Sequence, residues 1–172
     1  MKNTETSKNG QKQNLVFTRV FDSSVERVWK AWTDPEHVKR WWGPDGFTCP
    51  VARMDFHEGG KSLVCMRAPM EFGGQDMYST WTYTKIVPMQ EIEYLHHFAD
   101  KDGNRVEPAT MGLPPDMPPE VRNVATFKAA GVNQTELTVT EYDWPVGQMM
   151  EMSKMGMEQC LDKMAGSLVK AR

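Results

Sequence analysis

The stretch DSSVERVWKAWTDPEHVKRWWGPDGF (residues 22–47) holds four of the chain's six tryptophans and two sets of helix start and stop signals. Ser23 and Glu26 have capping-box spacing, and Val25, Val28, Trp29 and Trp32 recur at i, i+3, i+4 and i+7, which predicts a short amphipathic helix. Asp34 as N-cap and Pro35 at the first helical position restart the chain in a second helix. That helix carries Val38, Trp41 and Trp42 and stops at Gly43-Pro44. Consecutive helical residues diverge by about 100°, so Trp41 and Trp42 do not form one stacking platform. One packs beneath the helix pair, and the other covers its rim or the start of the next strand.

Outward from this pair the chain is mostly strand. LVFTRVF (15–21) precedes it, rich in β-branched and aromatic residues. FTCPVARMDF, KSLVCMRAP, MYSTWTYTKIV and EIEYLHHFAD follow, punctuated by HEGG, by EFGGQD and by Pro88-Met89-Gln90. Residues 104–120 contain five prolines and read as a loop of extended, polyproline-like character. VRNVATFKAA and TELTVTEY are the last two strands, joined by a turn through Gly131-Val132-Asn133. From Pro145, expected in the first helical turn, a long helix carries the stripe Met150, Ser153, Met157, Leu161, Met164 and Leu168. Gly147, Gly156 and Gly166 each weaken that helix by roughly 1 kcal/mol relative to Ala, so packing must hold it.

This order predicts an α+β domain in which one curved antiparallel sheet of about six to seven strands wraps around a long C-terminal helix, with two short helices after the first strand. Residues 1–13 are expected to form a polar tail, and 14–172 a single domain. With 20 basic against 23 acidic side chains and no basic run, the composition argues against a nucleic-acid partner. No apolar stretch is long enough to span a bilayer, and the polar N-terminus has no signal-peptide pattern, so a cytoplasmic protein is expected. Cys49, Cys65 and Cys160 are scattered, which fits reduced thiols.

TRVFDSSVERVWKAWTDPEHVKRWWGPDGFT resembles the N-terminal signature of the SRPBCC superfamily, specifically proteins similar to the activator of the heat-shock-protein-90 ATPase. MDFHEGG, YTKIVP, the GLP of the Pro-rich loop, ATFKAAGVNQTELTV and the Gly-Met-x-x-x-Leu-Asp-Lys-Met of the last helix fit the same pattern, over about residues 14–170. The resemblance implies the helix-grip (START-like) fold with an internal hydrophobic cavity. It implies no single activity, since relatives include co-chaperone domains, ligand sequesterers and polyketide cyclases. His57 stands where the family often has Arg, Trp81 where it has Gly, and Met157 where it has Trp. The last two changes reshape the cavity walls.

His37, His57, His96 and His97 lie on different elements without ligand spacing, so no metal and no cofactor is expected. His96 and His97 point to opposite sheet faces, His96 inward if Ile92, Tyr94 and Phe98 are inward. Asp55 and Glu58 bracket His57 in what reads as a solvated turn. No nucleophile elbow is present, and Cys160 reads as core. The candidate ligand-binding set is therefore Trp81, Tyr83, Tyr94, His96, Phe98, Phe127, Met150 and Met157, with no catalytic residue assigned.

Three functions follow. In the leading one, a hydrophobic, aromatic or lipid-like small molecule binds between sheet and last helix under the Pro-rich loop. The second is a chaperone-cofactor domain anchored by an exposed Trp of the 41–42 pair. The third is a cyclase or hydrolase using His96 or Tyr94. A second copy of the chain is a further candidate partner, as relatives often dimerise.

Overall fold

The computed structural model describes residues 10–170, with the side chain of residue 170 left aside. One seven-stranded, wholly antiparallel sheet runs in the order β1-β7-β6-β5-β4-β3-β2. The strands are β1 (Lys12–Phe21), β2 (Thr48–Arg53), β3 (Lys61–Arg67), β4 (Asp76–Val87), β5 (Glu91–Ala99), β6 (Glu120–Gly131) and β7 (Gln134–Pro145). Helices α1 (Val25–Thr33) and α2 (Pro35–Trp41) separate β1 from β2, and α3 (Gln148–Lys170) closes the chain. The sheet is curved and the architecture is the helix grip.

Alternation along each strand puts Phe17, Val64, Trp81, Tyr94, Ala125 and Val139 into one buried face, which α1, α2 and α3 cover. Arg19 projects from β1 on this side and fixes α3, donating to Glu158 and Asp162 at 2.7 Å each. The Arg27 guanidinium donates to the Leu168 carbonyl (2.6 Å) near the helix C-terminus, where a cation meets the negative end of the dipole. Lys163 Nζ donates to the carbonyls of Gly43 and Phe47 (2.8 and 3.1 Å), tying the middle of α3 to the turn after α2. The C-terminal part of α3 is thus anchored to β1 and to both short helices.

Four boundaries differ from the sequence reading. The cap of α1 is Ser24, whose hydroxyl accepts from the Arg27 amide, while Ser23 is buried beside it. Pro145 ends β7, and α3 starts only at Gln148, because β7 pairs with β1 as far as the Lys12–Pro145 register. That pairing also takes Lys12 and Gln13 out of the expected tail; residues 1–9 lie outside the described residues. The Pro-rich segment is not uniformly extended: Pro108–Met111 forms a 3-10 turn, and a second turn closes with the Met117 amide donating to the Pro114 carbonyl. Asp34 caps α2 as read, accepting from the Glu36 and His37 amides.

Candidate ligand cavity

The N-terminal half of α3 stands off the sheet and leaves a cavity of about 250 Å³. Its floor is the inner face of β4, β5, β6 and β7 with Met66 of β3, and its roof is α3 from Met149 to Cys160. Trp42 and Pro44 close one side, and Leu113 and Met117 of the Pro-rich loop close another. Asp116 holds that loop to the helix: its carboxylate accepts from the Met149 amide (3.2 Å) in the first turn of α3. Six methionines line the space, Met66, Met77, Met117, Met149, Met152 and Met157. Unbranched thioethers reshape around irregular apolar ligands at little cost.

A short polar row crosses this apolar floor. The register pairs Tyr94 with Asn123 and Asn123 with Glu141, so three polar side chains lie abreast on adjacent strands. Asn123 Nδ2 donates to the Val121 carbonyl (3.0 Å). Glu141 Oε1 accepts from Trp144 Nε1 at 2.9 Å, its one hydrogen bond among the described residues. In a regular strand, residues three apart face opposite sides. Asp143, at φ 59°, and a register shift opposite it between Gln13 and Leu15 bend β7 so that Glu141 and Trp144 share the inner face.

Burial governs the charge states. With no cation near it, the Glu141 carboxyl is pushed up to about 7 by desolvation, against which the Trp144 N–H works. Desolvation, helped by neighbouring His97, lowers His96 to about 4, so its ring is neutral at pH 7. His96 is half-buried, lines the cavity, and meets the Phe98 ring edge-on at 5.1 Å. The Tyr94 hydroxyl is raised well above its ordinary value by burial, and Cys160 is held up at about 11 by the same cause. No thiolate nucleophile forms there at neutral pH.

The chain matches the family model of the Activator of Hsp90 ATPase homolog 1-like protein over residues 22–168. It belongs to this family. No curated protein matches it. Among solved structures, a Chromobacterium violaceum protein is 24% identical with a TM-score of 0.72, covering 90% of this chain and 96% of its own. A protein from Arthrobacter aurescens is 23% identical (TM-score 0.74; 94% and 92% covered). The AHSA1 protein of Silicibacter pomeroyi is 20% identical (TM-score 0.72; 93% and 100% covered). At these identities the likeness establishes the shared fold.

In this member of the Activator of Hsp90 ATPase homolog 1-like family, the site residues expected from the sequence divide in two. Tyr94, His96, Phe98 and Met157 line the cavity together. Trp81, Tyr83, Phe127 and Met150 lie outside its lining, in solid core. Trp81 fills the space between sheet and helix pair, tilted against Tyr94 (5.1 Å) and edge-on to Trp42 (5.2 Å). Tyr83 shares a 2.7 Å hydrogen bond with Ser62 and meets Phe56, and Phe127 packs against Trp29. Met150 turns into the core beside the cavity. Met157, at the position where relatives often carry Trp, is a wall residue, whereas Trp81 is packing.

Trp41 is fully buried and donates Nε1–H to the Ala31 carbonyl at 2.7 Å, locking α1 to α2. Trp42, at the C-cap, turns to the cavity, so neither tryptophan is the surface anchor expected for a chaperone partner. His57 is an exposed turn residue 3.0 Å from Asp55, and His97 bonds Glu120 (2.7 Å) on the opposite face from His96. Among the described residues no three His, Cys, Asp or Glu side chains converge on a metal position, and no helix is long and apolar enough to cross a membrane. All three cysteines are free and buried.

The candidate set from the sequence omits Glu141, Asn123 and Trp144. Alternation puts Asn123 on one face with Ala125 and Phe127, and Glu141 was within reach: Leu137 and Val139 are apolar at alternate positions, and the next step on that face is Glu141. The bulge hid Trp144 from any alternation rule.

Proposed function

We propose that this protein binds a compact apolar or aromatic small molecule in the space between β4–β7 and the first half of α3. The carrying observation is a methionine-walled cavity crossed by one short polar row, the pattern of an apolar pocket with a few orienting groups. At about 250 Å³ it sits near the lower end of small-molecule sites, so the ligand is small and compact. The loop carrying Leu113 and Met117 acts as the lid, and the Asp116–Met149 contact is its latch. The neutral probe N-phenyl-1-naphthylamine tests this reading. Saturable binding with one site, accompanied by a change in tryptophan emission from Trp42 and Trp144, is expected. Absence of saturable binding at any concentration up to the probe's solubility contradicts it.

A second reading comes with the family, whose description refers to activation of the Hsp90 ATPase. One observation favours a protein-facing surface: Met70 (85% exposed) and Phe72 (69%) stand on the turn between β3 and β4. Single exposed apolar residues are ordinary, but a Met–Phe pair on a protruding turn suits an anchor. Under this reading the double variant M70S/F72S loses capture of an Hsp90-type ATPase that the unaltered chain retains.

A further inference from the structure

Glu141 is the one acidic or basic side chain in the cavity lining, apart from the neutral His96. Several carboxylates elsewhere in the described residues have cationic partners: Glu158 and Asp162 meet Arg19, Asp76 meets Arg67, Glu91 meets Lys85 and Glu93 meets Arg122. Glu141 joins none of these pairs. It receives a single hydrogen bond, from Trp144, and its second oxygen has no partner among the described residues. The groups facing it are the Tyr94 hydroxyl from β5, Asn123 from β6, Trp144 from β7 and the Cys160 thiol from α3, and none is a cation.

A buried carboxyl with no counter-ion is costly, and an incoming cation relieves that cost more than a neutral group does. The surrounding rings of Trp42, Tyr94, Phe98 and Trp144 suit a cation, since aromatic faces attract positive charge. The methionines suit the apolar remainder. Resting on the cavity reading above, we infer that the ligand is an amphiphilic amine, its ammonium paired with the Glu141 carboxylate and its apolar body along the methionine wall. The alternative is a protonated Glu141 donating to a carbonyl or carboxylate, and matched probes separate the two.

The test uses 4-phenylbutylamine, 4-phenylbutan-1-ol and 4-phenylbutyric acid, each titrated calorimetrically into the full chain and into E141Q and E141M. At pH 8 the amine binds at least tenfold more tightly than the alcohol, and the acid binds most weakly. In both variants the amine's advantage over the alcohol is lost, the two being compared within the same variant. Raising the pH from 6 to 8 strengthens amine binding to the unaltered chain and leaves E141Q unchanged, because the amine is protonated throughout and only Glu141 ionises. Equal binding of amine and alcohol, or an amine preference that survives E141Q, overturns the inference while the naphthylamine result still stands for the cavity. Tightest binding by the acid at pH 6 overturns it in favour of the protonated carboxyl. No binding by any of the three overturns it as well.

Discussion

Glu141 and His96 reach the same cavity and resist ionisation in opposite directions of pH. Glu141 holds its proton to about 7 in the folded chain against an ordinary value of 4.5. The stability tied to the neutral acid is therefore full below about 4.5 and is lost as pH rises through about 7, a loss on the order of 3 kcal/mol. E141Q should be more stable than the unaltered chain at pH 8 and about equal to it at pH 4.5, as read by urea unfolding. His96 is lowered to about 4 from 6.5, so the stability of its neutral form is full above 6.5 and disappears as pH falls through about 4. His96→Phe should flatten the acid limb of the stability profile between those values; an unchanged limb would show that His96 is not desolvated. The sequence made His96 legible through the apolar alternation around it. Glu141 continues the Leu137–Val139 alternation onto the inner face, but a lone Glu near the end of a strand carries no signal of burial. Trp144 depended on a backbone bend that no side-chain pattern announces.

At the scale of elements, the helix signals were the most readable. Asp34-Pro35 and Gly43-Pro44 act through local backbone chemistry, and α2 begins and ends at them. Ser23 and Ser24 are adjacent candidates for one cap. Tertiary packing chose between them: Ser23 is buried, and its carbonyl accepts from the Thr135 hydroxyl at 2.7 Å. The Pro145 boundary was decided by pairing with β1, again outside local sequence. Two predictions belong to α3. Gly156 lines the cavity in ordinary helical conformation, and a Cβ there would meet only Pro44 Cβ, at 3.9 Å. Gly156→Ala should raise stability by roughly 1 kcal/mol, measured by thermal unfolding; destabilisation would mean that α3 sits closer to the Pro44 turn than described. Asp116→Ala removes the acceptor of the Met149 amide and should cost about 1 kcal/mol locally. Hydrogen exchange should then speed up at Met149 and across residues 108–119, with exchange in β6 and β7 unchanged.

For the molecule as a whole, the element order and the motifs of residues 22–47 were enough to define the helix grip, because an antiparallel sheet with one apolar face needs a long helix to cover it. How much of that interior is filled was not readable. Whether Trp81, Tyr83 and Phe127 pack solidly or frame a space depends on the angle at which α3 crosses the sheet. Arg19 and Arg27, and the Gly43–Phe47 turn that accepts from Lys163 of α3, set that angle from distant parts of the chain. They pin the middle and C-terminal part of α3 and leave its first half over open volume, and this division into anchor and roof is the basis of the functional claim. The most direct test titrates N-phenyl-1-naphthylamine into the unaltered chain and into Gly156→Phe, a substitution directed into the cavity from its roof. Saturable one-site binding to the unaltered chain, lost in a variant that still unfolds cooperatively, is the predicted result. Binding that persists undiminished in Gly156→Phe, or no binding to either chain, would contradict the account.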